Sequence, residues 1–279
     1  MKLAVSNIAW ENAELADHLA LLRDLGCEGV ELAPSCIWPE PADATAGERV
    51  RLRDLVRGSG LEVTGFHALL FTRPDLQLFK DRVGLNLTVD YLVDLARLCS
   101  ELQGRLLVFG SPRNRVRHGR DYRECQAWAT EAFHAAASRC APLGVTLCIE
   151  PLAPDETEFI MSCDEGARLV ETVGHPNFQL HLDARALRAT GEDLAALMHR
   201  YGKHVQHFHV AEAGLAPPGS TGADHAGFGQ ALRDAGYQHY VSIEMRRGFG
   251  NTRAVVSSSV AYVMQHYLHS TNPRAMHAA

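Results

Sequence analysis

The sequence has no cysteines in CxxC spacing, no apolar run long enough to span a membrane, no surplus of positive charge and no Gly-x-Gly-x-x-Gly after its first strand-like segment. Each absence excludes something. The seven cysteines, at 27, 36, 99, 125, 140, 148 and 163, are odd in number and lie mostly in apolar settings. That fits neither a disulfide scaffold nor a zinc ribbon, and the expected compartment is a reducing cytoplasm. The longest uncharged apolar runs, such as 143–149, fall far short of the roughly 20 residues a membrane helix needs, so no membrane partner is expected. The first residues carry one cation and a short strand-like run that ends at Trp10 and Glu11, which is not the pattern of a secretory signal. With 27 Lys and Arg against 33 Asp and Glu, a net charge of −6, no basic field exists to attract nucleic acid.

What is present is alternation. The chain has 279 residues, 46% of them hydrophobic and 22% charged, enough for a full core in one large domain. Short apolar runs at 3–7, 29–33, 62–68, 105–110, 145–150, 178–183, 205–210 and 240–245 read as strands. Amphipathic stretches at 12–25, 45–58, 84–103, 120–142, 163–173, 191–200, 225–235 and 252–268 read as helices between them. Leu85, Val89, Leu92, Leu95, Ala96 and Leu98 show the three- and four-residue steps of a buried helix face. Gly26, Gly60, Gly104, Gly144, Gly174, Gly202 and Gly236 each fall between a helix and the next strand, where a left-handed helix cap is wanted. Near-continuously apolar strands joined by helices make a parallel sheet covered by helices. Eight such units predict an α/β fold, a single-domain (β/α)8 TIM barrel over residues 1–269, with a disordered polar tail at 270–279. A doubly wound open sheet is the competing architecture.

In such a barrel the chemistry sits at the C-terminal ends of the strands. The residues there are Asn7 and Trp10; Glu31 and Pro34; His67; Gly110 to Arg115; Glu150; His181 and Asp183; His207, His209 and Glu212; and Glu244 and Arg246. Four adjacent strands end in Glu150, Asp183, His209 and Glu244, which would converge near the barrel axis. Three bare carboxylates crowded together repel one another and raise their pKa values. A divalent cation removes the conflict, and three carboxylates with one imidazole suit Mn²⁺, Mg²⁺, Co²⁺ or Fe²⁺, with Zn²⁺ also admissible. His67 is placed to bond a substrate hydroxyl. In Gly110-Ser111-Pro112-Arg113-Asn114-Arg115, the Arg115 fork is a candidate clamp for a substrate phosphate or carboxylate. Trp10 and Phe71 are candidate apolar walls for a sugar ring. His181 and His207 lie two residues before ligand positions, on the same pleat face, whereas His18, His134, His199, His239 and His266 read as surface or neutral positions.

Glu at the end of strand five, Asp at six, His at seven and Glu at eight resembles the xylose-isomerase-like sugar phosphate isomerase/epimerase superfamily. Its members include tagatose and psicose 3-epimerases, hydroxypyruvate isomerase and, more distantly, endonuclease IV. The resemblance runs from Ser6-Asn7-Ile8-Ala9-Trp10 to Ser242-Ile243-Glu244-Met245-Arg246, and takes in Phe109 to Arg115 and Gly222-Ala223-Asp224-His225. It implies one divalent metal ion, Mn²⁺ first among the candidates, held by Glu150, Asp183, His209 and Glu244. It also implies that Glu150 and Glu244 are an acid/base pair working through an enediolate, on a small sugar, sugar phosphate or keto-cyclitol. A lyase or dehydratase on a related polyhydroxy carbonyl compound uses the same enolate and is the alternative; an endonuclease IV-like phosphodiesterase would need more histidine ligands and a basic face. Tagatose-type epimerases have a His where this chain has Ala186 and an Arg where it has Leu215, so their specificity does not carry over. Arg185, Glu212, His225 and Arg246 are the substitute candidates for substrate binding. A homodimer is the assembly expected by analogy with the superfamily.

Overall fold

A computed structural model describes residues 1–268; the tail at 270–279 lies outside the described residues. Eight parallel strands, β1 (Lys2–Ser6), β2 (Gly29–Leu32), β3 (Glu62–Phe66), β4 (Leu106–Phe109), β5 (Thr146–Ile149), β6 (Phe178–Asp183), β7 (Val205–Ala211) and β8 (Tyr240–Glu244), form a closed barrel in chain order. Closure is made by β1 against β8, with Lys2 opposite Tyr240 and Val5 opposite Ile243. Around it run α1 (Leu15–Asp24), α2 (Ala46–Gly58), α3 (Arg82–Glu101), α4 (Tyr122–Cys140), α5 (Cys163–Val173), α6 (Ala184–Thr190), α7 (Leu194–Tyr201), α8 (His225–Asp234) and α9 (Thr252–Val263). None of the described helices is long and apolar enough to cross a membrane.

The strands and long helices fall within a few residues of the expected positions. Two details differ. Helix α6 was not anticipated: it starts directly after β6, because the side chain of Asp183 accepts from the backbone N–H of Ala186 and caps it. Of the seven expected cap glycines, Gly104 and Gly202 do not take a left-handed conformation; Gln103 has the positive φ before β4, and Gly202 opens a short turn of right-handed backbone.

The strands are also less uniformly apolar than expected, and the reason positions the site. On β6, Leu180 and Leu182 join the large core shared with the helices, as do Phe208 and Val210 on β7 and Val241 and Ile243 on β8. The alternate residues occupy the opposite pleat face, where Leu106, Val108 and Cys148 make a separate apolar cluster inside the barrel. Buried polar groups take the remaining places: Ser6, Glu31, Thr64, His181, His207, His209 and Ser242. The barrel axis is therefore largely hydrogen-bonded, while most hydrophobic burial lies between sheet and helices.

Candidate metal and sugar site

Glu150 follows β5, where its backbone N–H donates to the carbonyl of Phe109. A methyl group on Gly110 would meet Glu150 Oε2, so glycine here leaves the Glu150 carboxyl its position. Asp183 closes β6 with one oxygen spent on capping α6; its Oδ2 is buried without a hydrogen-bond partner. His209 donates through Nε2 to both oxygens of Glu31, at 3.0 and 3.1 Å. Its Nδ1 has no hydrogen-bond partner, with Glu244 Oε2 3.3 Å away. The other Glu244 oxygen is 3.2 Å from His67 Nδ1, and His67 Nε2 meets Ser6 Oγ at 2.6 Å. Beneath this layer, Glu31 also accepts from Ser242 Oγ at 2.6 Å and from His207 Nε2 at 3.1 Å. His181 Nε2 is 3.7 Å from Glu150 Oε1, without a hydrogen bond.

The electrostatics divide the carboxylates into two groups. Burial, then the charges of Asp183 and Glu244, hold Glu150 well above the ordinary carboxylate range, despite the opposing pull of His209. Burial and the neighbouring Glu244 push Asp183 up to about 7. For Glu244 burial acts in the same direction, but His209 and His67 outweigh it and keep it ionised. Glu31 is likewise buried, and His209, His207 and His67 together hold it well below its usual value. His209, desolvated yet facing Glu31 and Glu244, is raised; His181 and His207, desolvated chiefly by burial, are lowered.

Crowded carboxyls that resist ionisation are the condition a cation relieves. One ligand atom each from Glu150, Asp183 and His209 lies within 4.8 Å of the others, and two of these residues carry a buried, unpartnered donor atom. This donor set fits a divalent metal ion. Glu244, the fourth expected ligand, is next to the set but engaged with His67 and His209. His181, His207 and His209 form a second close group. Glu150 and Asp183 of the first group, with Glu244 and His67, line a cavity of about 540 Å³ at the C-terminal mouth; His181, His207 and His209 are not among its lining residues. A larger cavity, about 990 Å³, lies at the opposite end of the barrel against residues such as Lys2, Arg105 and Gln206, away from all of these groups.

Of the expected substrate residues, the structure brings His67 and Arg185 to the cavity wall. Arg185 is held there by Glu156 at 2.8 Å. The other four are placed elsewhere. Arg115, the expected clamp for a substrate phosphate or carboxylate, is completely buried, donates from Nη1 to the backbone carbonyl of Glu150 at 2.9 Å and does not line the cavity; Arg113 takes the position at the wall. Burial lowers the Arg115 guanidinium to about 10, against the pull of Glu150. Glu212 and His225 are buried against each other at 3.1 Å behind the β7 loop. Glu212 also accepts from the backbone of Gly219 and Thr221 and from the Thr221 hydroxyl, and His225 Nδ1 meets Tyr267 Oη at 2.7 Å. Arg246 donates to the Gly214 carbonyl and lies over Phe249. Trp10 is buried and stacked on His18 at 4.7 Å rather than facing a sugar, so His18 is a core residue and not a surface one. Phe71 does line the cavity. Glu31, Ser6 and Ser242 were missed as supports of the site, although Glu31 was visible as a strand-end carboxylate.

Fold and site together define a (β/α)8 barrel with a carboxylate–imidazole constellation that fits a divalent metal ion at the C-terminal mouth. The chain belongs to the xylose isomerase-like TIM barrel family, whose profile matches residues 19–263. It is 24% identical over 261 residues to the D-psicose 3-epimerase of Ruminiclostridium cellulolyticum, covering 90% of this chain and 86% of that protein. It is 24% identical over 250 residues to an L-ribulose 3-epimerase of Mesorhizobium japonicum, covering 87% and 80%. Among solved structures, L-ribulose 3-epimerase superposes with a TM-score of 0.82 at 19% identity, covering 100% of this chain and 99% of that one. The 3-keto-D-glucoside 4-epimerase YcjR of E. coli superposes with a TM-score of 0.80 at 17% identity, covering 95% and 99%.

Proposed function

We propose that this protein is a divalent-metal-dependent epimerase of a small keto sugar, with Glu150 and Glu244 as its two proton-transfer groups. The observation that carries this reading is positional. Glu150 follows β5 and Glu244 ends β8, three strands apart in a ring of eight, and both line one cavity. Two carboxyl groups reaching a bound sugar from different strands can work on opposite faces of one carbon. One takes the proton from the carbon next to the carbonyl; the other returns a proton to the same carbon from the opposite side, which inverts it. The relatives above, epimerases acting at carbon 3 of psicose and of ribulose, support this choice over return of the proton to the neighbouring carbon.

The residues that would hold the cation are Glu150, Asp183 and His209, with Glu244 as the fourth of the set; Mn²⁺ suits this mixture of oxygen and imidazole donors. When bound, the ion supplies Lewis-acid polarisation of a carbonyl and offsets the negative charge gathered around it. His67, fixed between Ser6 and Glu244, orients Glu244 toward the cavity. Leu70, Leu152 and Leu215 close the wall and exclude water from the proton-transfer groups.

The test is hydrogen exchange. Mn²⁺-loaded protein in D₂O should place deuterium at the carbon next to the carbonyl of a ketose and yield the epimer. Exchange with release of water would point to a dehydratase instead. Undiminished turnover by chelated protein would overturn the proposal.

A further inference from the structure

Phe71 is one of the most exposed large apolar side chains among the described residues, at 66% of its surface, yet it stands in the wall of the cavity that holds Glu150 and Glu244. It is also held firmly. Arg113 donates from Nη2 to the Phe71 carbonyl at 3.1 Å, and its guanidinium lies over the ring at 5.5 Å from the centroid. Asn114 donates to the carbonyls of Arg73 and Leu76 at 2.8 and 2.6 Å, and Gln77 donates to the carbonyl of Arg113 at 2.8 Å. The loops after β3 and β4 are thus tied to each other, and they hold an aromatic face at the outer rim. An exposed ring fixed this way offers a stacking surface at the rim beside the Arg113 guanidinium.

The cavity has two chemical ends. The reacting end is carboxylate and imidazole. The rim end offers Phe71, Pro112 and the Arg113 fork. At about 540 Å³ the whole space is in the range of pockets for drug-sized ligands, more than one six-carbon sugar fills. We infer that the substrate is a keto sugar bearing a second ring at the end remote from its carbonyl, with that ring stacked on Phe71 and bonded by Arg113. This deepens the epimerase reading and rests on it.

The experiment compares D-fructose with isomaltulose, which is the same ketose carrying a glucose ring on its far end. Deuterium incorporation by Mn²⁺-loaded protein gives kcat/KM for each, and calorimetry gives the binding constant of each. The expected result is a preference for isomaltulose of about two- to tenfold, the size of one aromatic stacking contact. Phe71→Ala should erase that ratio and Phe71→Trp should keep it. The substituted side chain is largely exposed, so loss of folding is not the expected outcome. Equal handling of the two sugars by the wild type, or an unchanged ratio in Phe71→Ala, overturns the inference. So does a change confined to oligomeric state by sedimentation, which would make the ring a contact between copies of the chain. Absence of exchange with either sugar would sink the epimerase reading alone, and the binding ratio would still decide the subsite.

Discussion

Glu31 and His209 are joined by two hydrogen bonds from one ring nitrogen, Nε2, at 3.0 and 3.1 Å to the two carboxylate oxygens. The ring is thereby turned so that Nδ1 faces the cluster of Glu150, Asp183 and Glu244. A carboxylate behind a ligating histidine sets which nitrogen is free and strengthens it as a donor.

Replacing Glu31 by Gln should therefore weaken metal binding about 10–100-fold. Titration of the metal-free protein with Mn²⁺, followed by calorimetry, measures this directly. An unchanged dissociation constant would mean that His209 needs no orienting partner.

Glu150→Gln and Glu244→Gln should each lower deuterium exchange into a ketose by about 10²–10⁴-fold, the usual contribution of a positioned proton-transfer group. Rapid-quench exchange at saturating sugar and saturating Mn²⁺ separates this from lost affinity. If only KM moved, the two residues would be binding groups.

The metal-free protein should lose stability as pH rises through the window between the ordinary Asp value near 3.8 and the raised value of about 7 at Asp183. In that window the folded state binds more protons than the unfolded one, and stability falls with pH. Glu150 adds to this slope, being raised as well. His181 and His207, lowered in the fold, act oppositely below the ordinary histidine value of 6.5. The clearest readout is the difference made by the ion: the rise in Tm on saturation with Mn²⁺ should be larger at pH 7.5 than at pH 5.5, because protons compete for the same oxygens. An equal rise at both values would count against these carboxyls as ligands.

His225→Ala should destabilise the protein by about 1–3 kcal/mol, since it leaves Glu212 and the Tyr267 hydroxyl short of a buried partner. Denaturant unfolding of the two proteins checks it. A variant as stable as the wild type would show that Gly219 and Thr221 satisfy Glu212 unaided.

The barrel and the four strand-end positions of Glu150, Asp183, His209 and Glu244 were legible because they depend on local pattern. Strand ends are marked where an apolar alternation breaks at a carboxylate or imidazole, and strand order around a (β/α)8 barrel equals chain order. Glu31 escaped assignment because its partners His207 and His209 are 176 and 178 residues away, and meet it only once the barrel closes. Arg115 was misread for a different reason. It sits in a loop with Arg113, Arg117 and Arg120, and nothing in their order says which guanidinium turns inward to the Glu150 carbonyl. Glu212 and His225 look like site residues by type and position, but their geminate pairing turns them into a clasp for the loop. Helix α6 was hidden because the residue expected to serve only as a ligand, Asp183, is also its cap.

The sheet acts as a partition. Its outer side carries the oily packing that keeps the chain folded, while its inner side carries ionisable groups that a barrel could in principle exchange for others. Reinforcing the helical shell and retuning the lumen are thus separable engineering tasks, and a new chemistry could be installed along the axis at little expense to the architecture.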